Sequence, residues 1–107
     1  ISNKAKSKIR ETIRGWRIHL ITWTSLGKIA EKVNPVLRGW YQYYGRFYKS
    51  EMYPVLRNVE RYLVLWARRK YKKLARHGQK ARKYLGGVCK REPGLFVHWE
   101  MGLGSAD

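Results

Sequence analysis

NPVLRGWYQYYGRFYKSEMYPVLRNVERYLVLW, residues 34–66, carries the pattern on which the fold turns. In its second half Met52, Val55, Leu56, Val59, Leu63 and Trp66 recur at intervals of three and four. That is the wide apolar stripe a helix buries in a bundle. Ser50 offers a side-chain oxygen for a helix N-terminus, Glu51 suits the positive end of the helix dipole, and Pro54 is tolerated near a helix start. The reading is a long helix beginning at Ser50. The first half gives another on similar grounds. Asn34 is a good N-cap, and Pro35 at the first helical position forfeits no hydrogen bond, because that N–H has no partner anyway. From there Leu37, Trp40, Tyr41, Tyr44 and Tyr48 keep helical spacing. Arg38, Gln42, Gly45, Arg46 and Lys49 fall mainly on the other side. Trp40 and Tyr44 are expected in the core, and Tyr43, flanking the basic side, is expected to face outward. Gly39 and Gly45 each lower helix propensity by up to ~1 kcal/mol, which suggests a close helix or backbone approach there.

Upstream, Ile9, Ile13, Trp16 and Leu20 recur at i, i+4, i+7 and i+11, one face of a helix, while Arg10, Arg14 and Arg17 repeat on a different, basic face. The β-branched run around Ile21, Thr22, Trp23 and Thr24 weakens the helical reading, and Thr24 or Ser25 caps a short helix that points Leu26, Ile29, Ala30 and Val33 inward. Downstream of Trp66 the character changes. Residues 68–83, RRKYKKLARHGQKARK, hold nine Lys or Arg and no acid. His77-Gly78 is expected to break the helix, Gln79 to Leu85 to resume it, and Gly86-Gly87 to end it. The apolar run in GLFVHWEMG, residues 94–102, reads as a strand-like segment packed on the bundle, with Gly104 to Asp107 frayed. The predicted fold class is all-α: a small bundle of three to four helices with a short irregular or strand-like tail. Residues 1–107 read as one domain with its core at about 4–100. The chain opens on Ile1 without a methionine, so it is expected to have been cut from a longer protein.

Charge gives the strongest hint of function. Twenty-four Lys and Arg against seven Asp and Glu leave a net charge of +17. Self-repulsion on that scale calls for a polyanionic partner, nucleic acid or an anionic membrane surface. The membrane reading is the weaker, since no apolar run approaches spanning length and nothing resembles a signal peptide. Ordinary solvated helix faces mix both signs, whereas nothing balances the cations of residues 68–83. Lys and Arg attract phosphate backbones and release condensed counterions, Arg adds bidentate contacts, and Tyr can stack on bases. The tryptophans at helical spacing, Trp16, Trp40 and Trp66, are expected to pack in the core instead.

Catalysis finds little support. The seven acids stand singly, with no pair placed to hold two metal ions for nucleotidyl transfer. Cys89, His77 and His98 lack the number and spacing of zinc ligands, and there is no phosphate-binding Gly-rich loop. No catalytic residue, metal or cofactor is assigned. A lone cysteine excludes an internal disulfide and fits a reducing compartment, so a cytoplasmic or organellar location is expected and secretion is not.

The string Asn34-Pro35-Val36-Leu37-Arg38-Gly39-Trp40, followed by Tyr43-Tyr44, resembles the maturase-specific domain (domain X) of group II intron-encoded reverse transcriptases. Lys8 to Glu11, Ser25-Leu26, Trp66 to Arg69 and Gly94 to Trp99 support the likeness, which spans about residues 4–100. The resemblance implies an all-α domain that follows the fingers and palm and serves as the polymerase thumb. It implies group II intron RNA, and an RNA template with its DNA primer, as partners. The polymerase's metal-binding aspartates would lie in the palm of the parent protein, leaving this piece a binding module without chemistry of its own. On charge and spacing, Arg38, Arg46, Lys49, Arg68, Arg69, Lys72, Lys73 and Arg76 are the expected phosphate contacts. Lys80, Arg82 and Lys83 extend that surface, and Tyr43 is the expected stacking ring. The nearest rival is a basic helix-turn-helix DNA-binding domain, with a ribosomal-type RNA-binding protein behind it. Positive charge spread over three segments favours gripping a duplex over reading bases from one recognition helix.

Overall fold

Helical apolar spacing in four segments yields four helices that share one core, closed by a fifth of a single turn. The computed structural model describes residues 2–101, apart from the side chains of residues 45–49. Helix α1 (Asn3–Gly15) starts at Ser2, whose Oγ accepts the Ala5 N–H at 3.1 Å. It buries Ile9 and Ile13 but stops short of Leu20. After Gly15 and Trp16, Arg17 adopts left-handed backbone (φ 51°, ψ 43°), a conformation that costs an ordinary residue about 1–2 kcal/mol. The turn swings Ile18 into the core through a 3₁₀ turn, Ile18–Leu20, and leaves Leu20 at the surface. The helix therefore ends where its apolar face would otherwise have carried Ile18 away from the core.

Helix α2 (Leu26–Trp40) begins as expected at Ser25, whose Oγ accepts the Lys28 N–H at 3.3 Å. Leu26, Ile29, Ala30 and Val33 are all buried. The predicted new start at Asn34-Pro35 does not occur. Proline inside a helix removes one backbone hydrogen bond and crowds the preceding turn. Pro35 sits on the exposed face, while Ile29, Val33 and Leu37 continue one buried stripe past it. Burial of that stripe decides the matter. Asn34 does a different job: its Nδ2 donates to the Leu95 carbonyl at 2.7 Å and its Oδ1 accepts the Val97 N–H at 3.1 Å. One amide thus ties α2 to a segment more than sixty residues away. Asn34→Ala should lower unfolding free energy by about 2 kcal/mol, two partly buried hydrogen bonds at roughly 1 kcal/mol each. Chemical denaturation reads this directly, and a change below about 0.5 kcal/mol would mean the clamp is not holding the tail.

Nor does the helical run pause before Ser50. A π-helical segment, Tyr41–Gly45, leads from α2 into α3 (Arg46–Lys70), so Ser50 is an exposed mid-helix residue and Pro54 lies inside the helix. A π turn is wider than an α turn and shifts the phase of the side chains. Leu37 before it and Met52 after it are both completely buried. The expected close approach at Gly39 is absent, since a Cβ there would meet nothing within 4 Å. Gly45 and Tyr48 have surroundings outside the described residues. The stripe of α3 is buried as its spacing requires, from Met52 through Leu56 and Leu63 to Trp66. Trp66 Nε1 also donates to the Ile21 carbonyl at 3.0 Å, pinning the loop between α1 and α2. Trp16 and Trp40 stack at 5.8 Å between ring centres, half-buried where α1 and α2 end.

Past Lys70 a 3₁₀ turn, Lys72–Leu74, leads to α4 (Gly78–Arg91). The break thus falls before His77-Gly78, and Gly78 opens the new helix. Gly86-Gly87 does not end it, because Ala81, Leu85, Gly86 and Val88 form a buried face that runs through both glycines. The stop comes at Glu92, whose N–H reaches the Val88 carbonyl at 2.8 Å, followed by Pro93, which cannot continue a helix. The predicted strand-like tail is instead one helical turn, α5 (Val97–Glu100), with Phe96, Val97, His98 and Trp99 buried. Among the described residues there is no strand. Gly104 to Asp107 lie outside the described residues.

Candidate nucleic-acid interface

Where α3 ends, its cations divide into two kinds. Arg68 donates from Nε and Nη2 to the Ala75 carbonyl at 3.2 and 3.0 Å, which straps the turn between α3 and α4. Lys70 donates from Nζ to the Thr24 carbonyl at 2.7 Å, with the ammonium 4.9 Å from the centre of the Trp66 ring. Both are half-buried and belong to the scaffold. Arg69, Lys72, Lys73, Arg76, Lys80, Arg82 and Lys83 are exposed. Among the described residues no carboxylate pairs with any of them. A hollow of about 440 Å³ opens among them, lined by Tyr71, Leu74 and Tyr84 with Lys70, Lys72 and Lys73. Its two half-buried rings lie 5.3 Å apart, and their hydroxyls share a 3.3 Å hydrogen bond. Desolvation, then the hydrogen bond and charge of Tyr71, push the Tyr84 phenol up to about 12, against the opposing pull of Arg91. Tyr84 therefore stays neutral at physiological pH and adds no negative charge to this cationic end. A second hollow, about 340 Å³, is lined by His77, Gly78, Gln79, Lys80 and Lys83.

The remaining predicted residues lie elsewhere. Arg38 is exposed in the last turn of α2, and Tyr43 stands 76% exposed in the π segment, its ring edge-on to the half-buried Tyr44 at 4.7 Å. The π segment adjoins the start of α3, and Arg69 sits at its end. At 1.5 Å per residue the helix separates them by roughly 35 Å. The side chains of Arg46 and Lys49 lie outside the described residues. The structure thus gathers Arg69 to Lys83 at one end and leaves Arg38 and Tyr43 at the other.

Two further features appear, of which the sequence had marked only the basic face of Arg10 and Arg14. Trp23 stands 80% exposed in the loop before α2, beside the carbonyl that holds Lys70. A groove between α1 and α3, about 810 Å³, is lined by Lys6, Arg10 and Arg14 from one helix and Arg57 and Arg61 from the other. Arg57 and Arg61 sit one turn apart in α3, a signal hidden inside the stronger apolar stripe. Arg17, grouped with Arg10 and Arg14 by spacing, is turned aside by its left-handed backbone and does not line the groove.

Against this geometry the family comparison is decisive. The model for the group II intron, maturase-specific domain matches residues 6–85. The chain belongs to that family. Searches of curated proteins and of solved structures returned no significant match. The span matched to the maturase-specific domain runs from α1 through most of α4, so it takes in both the groove and the exposed turn. The α5 segment and its Asn34-held approach lie beyond its end. Among the described residues no maturase-domain helix is long and apolar enough to cross a membrane.

Proposed function

We propose that this maturase-specific domain binds group II intron RNA, assisting its folding and splicing, and grips the backbone chiefly through the exposed cations from Arg69 to Lys83. The observation carrying the reading is their combination: seven exposed Lys and Arg without a carboxylate partner among the described residues, two of which, Lys72 and Lys73, border a hollow lined by the Tyr71 and Tyr84 rings. An A-form helix hides its base edges in a deep major groove, so phosphates and shape are what a protein surface meets there. Unpaired loop bases can stack on aromatic rings, and Tyr71 and Tyr84 offer such rings beside the lysines. In the parent reverse transcriptase the domain follows the fingers and palm and acts as the thumb on the RNA template and DNA primer. Nucleotidyl transfer belongs to the palm of that parent. A cytoplasmic or organellar setting completes the proposal.

Affinity for a structured intron RNA, an unrelated RNA hairpin and a DNA duplex, each across a salt series, tests it. RNA binding should weaken steeply with salt, with a log–log slope of about −4 to −6 if five to seven phosphates are neutralised. The intron RNA should retain an advantage as salt rises. Preference for the DNA duplex would instead support the helix-turn-helix reading. A flat salt response would remove the phosphate grip altogether.

A further inference from the structure

We infer that the groove between α1 and α3 is a second seat for a nucleic-acid phosphodiester backbone, separate from the exposed turn between α3 and α4. The inference rests on the RNA-binding reading above and adds a surface to it. Lys6, Arg10 and Arg14 follow one another at four-residue intervals along α1, so their side chains rise about 6 Å per step on one face. Arg57 and Arg61 repeat the interval along α3. Packing the two helices together turns these rows toward a shared cleft of about 810 Å³.

The cleft is poorly neutralised. Glu51, the one acid on its wall, lies 3.4 Å from Lys6. Among the described residues no carboxylate pairs with Arg10, Arg14, Arg57 or Arg61. Counting the lining charges, five cations and one carboxylate leave +4 between two helices. Converging like charges in a cleft with protein walls repel one another and concentrate anions. A folded domain tolerates that arrangement most easily when an anion occupies it.

Geometry selects the kind of anion. Two facing rows at helical spacing suit an extended chain of regularly placed charges better than a small ion. Arg61 is preset: its Nε donates to Asn58 Oδ1 at 3.3 Å and its guanidinium sits 5.3 Å from the Tyr62 ring centre. Arginine forks match phosphate oxygens two at a time. The middle of this groove lies near residue 56 of α3 and the basic turn near residue 70, roughly 20 Å apart by helical rise. The domain can therefore hold two backbone segments of a folded RNA, or one long segment at two places.

The test compares two triple variants of equal charge. Arg10→Gln, Arg14→Gln and Arg57→Gln alter exposed groove residues whose side chains make no hydrogen bond or ion pair among the described residues, and glutamine keeps helix propensity. Lys28→Gln, Lys32→Gln and Lys90→Gln remove the same formal charge from exposed residues that line neither the groove nor the two hollows of the basic end, Lys28 giving up a surface pair with Glu31 at 3.6 Å. Affinity for an RNA hairpin is measured across salt, with circular dichroism confirming the fold of each variant. The groove variant should make the log–log slope shallower by about 2–3 and weaken binding at low salt by at least tenfold. The control variant should change the slope by less than about 1. If the two variants behave alike while the unaltered protein binds RNA steeply, the groove is not a seat and only this inference fails. If the unaltered protein shows no salt-dependent RNA binding, both readings are overturned.

Discussion

Glu60→Ala should destabilise the domain by about 3–5 kcal/mol, the range for removing one member of a buried charged hydrogen-bonded set. Glu60 lies on α3 at 7% exposure. Its Oε1 accepts the Trp99 indole N–H at 2.8 Å and sits 2.7 Å from His98 Nε2. A carboxylate can only accept, so both rings serve as donors to it. His98 is fully buried and its Nδ1 has no hydrogen-bond partner. Without the carboxylate, two buried N–H groups would lose their acceptor in a site water does not reach. The affected residues carry α5, and with it Phe96, which is also fully buried. For a domain of this size the loss corresponds to a fall in Tm of at least about 12 °C. Glu60→Gln keeps an oxygen acceptor and should cost clearly less, which separates the lost hydrogen bonds from the lost charge. Thermal and urea unfolding monitored by circular dichroism measure both. A Glu60→Ala protein as stable as the parent would show that α5 contributes little to the fold.

That anchor illustrates what the sequence conceals. Glu60 reads as one of seven scattered acids, and His98 and Trp99 as part of an apolar tail. Nothing in their spacing says they meet across about forty residues. The inward faces of α2 and α3 were legible because burial imposes a period that single residues cannot fake. Helix boundaries were legible at Ser25, which caps α2, but not elsewhere along α2 and α3. Asn34-Pro35 and Ser50 carry real capping chemistry, yet the stripes continue past them, and local preferences worth about 1 kcal/mol yield to several buried side chains. The same limit governs the site. A run of nine cations announced a basic end, but the pattern could not show that Arg68 and Lys70 are spent on the Ala75 and Thr24 carbonyls. Nor could it show that Arg38 and Tyr43 sit a helix length away. The groove was missed for the opposite reason: Arg10 and Arg14 stood out as a basic face, but nothing in the spacing set Arg57 and Arg61 opposite them.

Separating the structural cations from the free ones leads to the largest expected change in binding. Replacing Arg69, Lys72, Lys73 and Arg76 by alanine removes four exposed charges from one turn. If each neutralises a phosphate, the log–log salt slope for RNA becomes shallower by about 3–4. Affinity at low salt should fall by roughly two orders of magnitude or more, because the electrostatic part of binding scales with the same contacts. The loss should be similar for the intron RNA and an unrelated hairpin, since phosphate contacts position a nucleic acid without reading its sequence. Arg68→Ala provides the contrast within the same run. Its two bonds to the Ala75 carbonyl hold the turn, so its removal should cost about 1–2 kcal/mol of stability, discounted for partial exposure. Its effect on the salt slope should stay below about 1. Should Arg68→Ala flatten the slope as much as the four exposed residues together, the grip would reside in the strap and the division drawn between scaffold and contact would be wrong. Should the quadruple variant bind as the parent does, the basic turn would be a solvated surface, and the groove between α1 and α3 would remain as the seat for RNA.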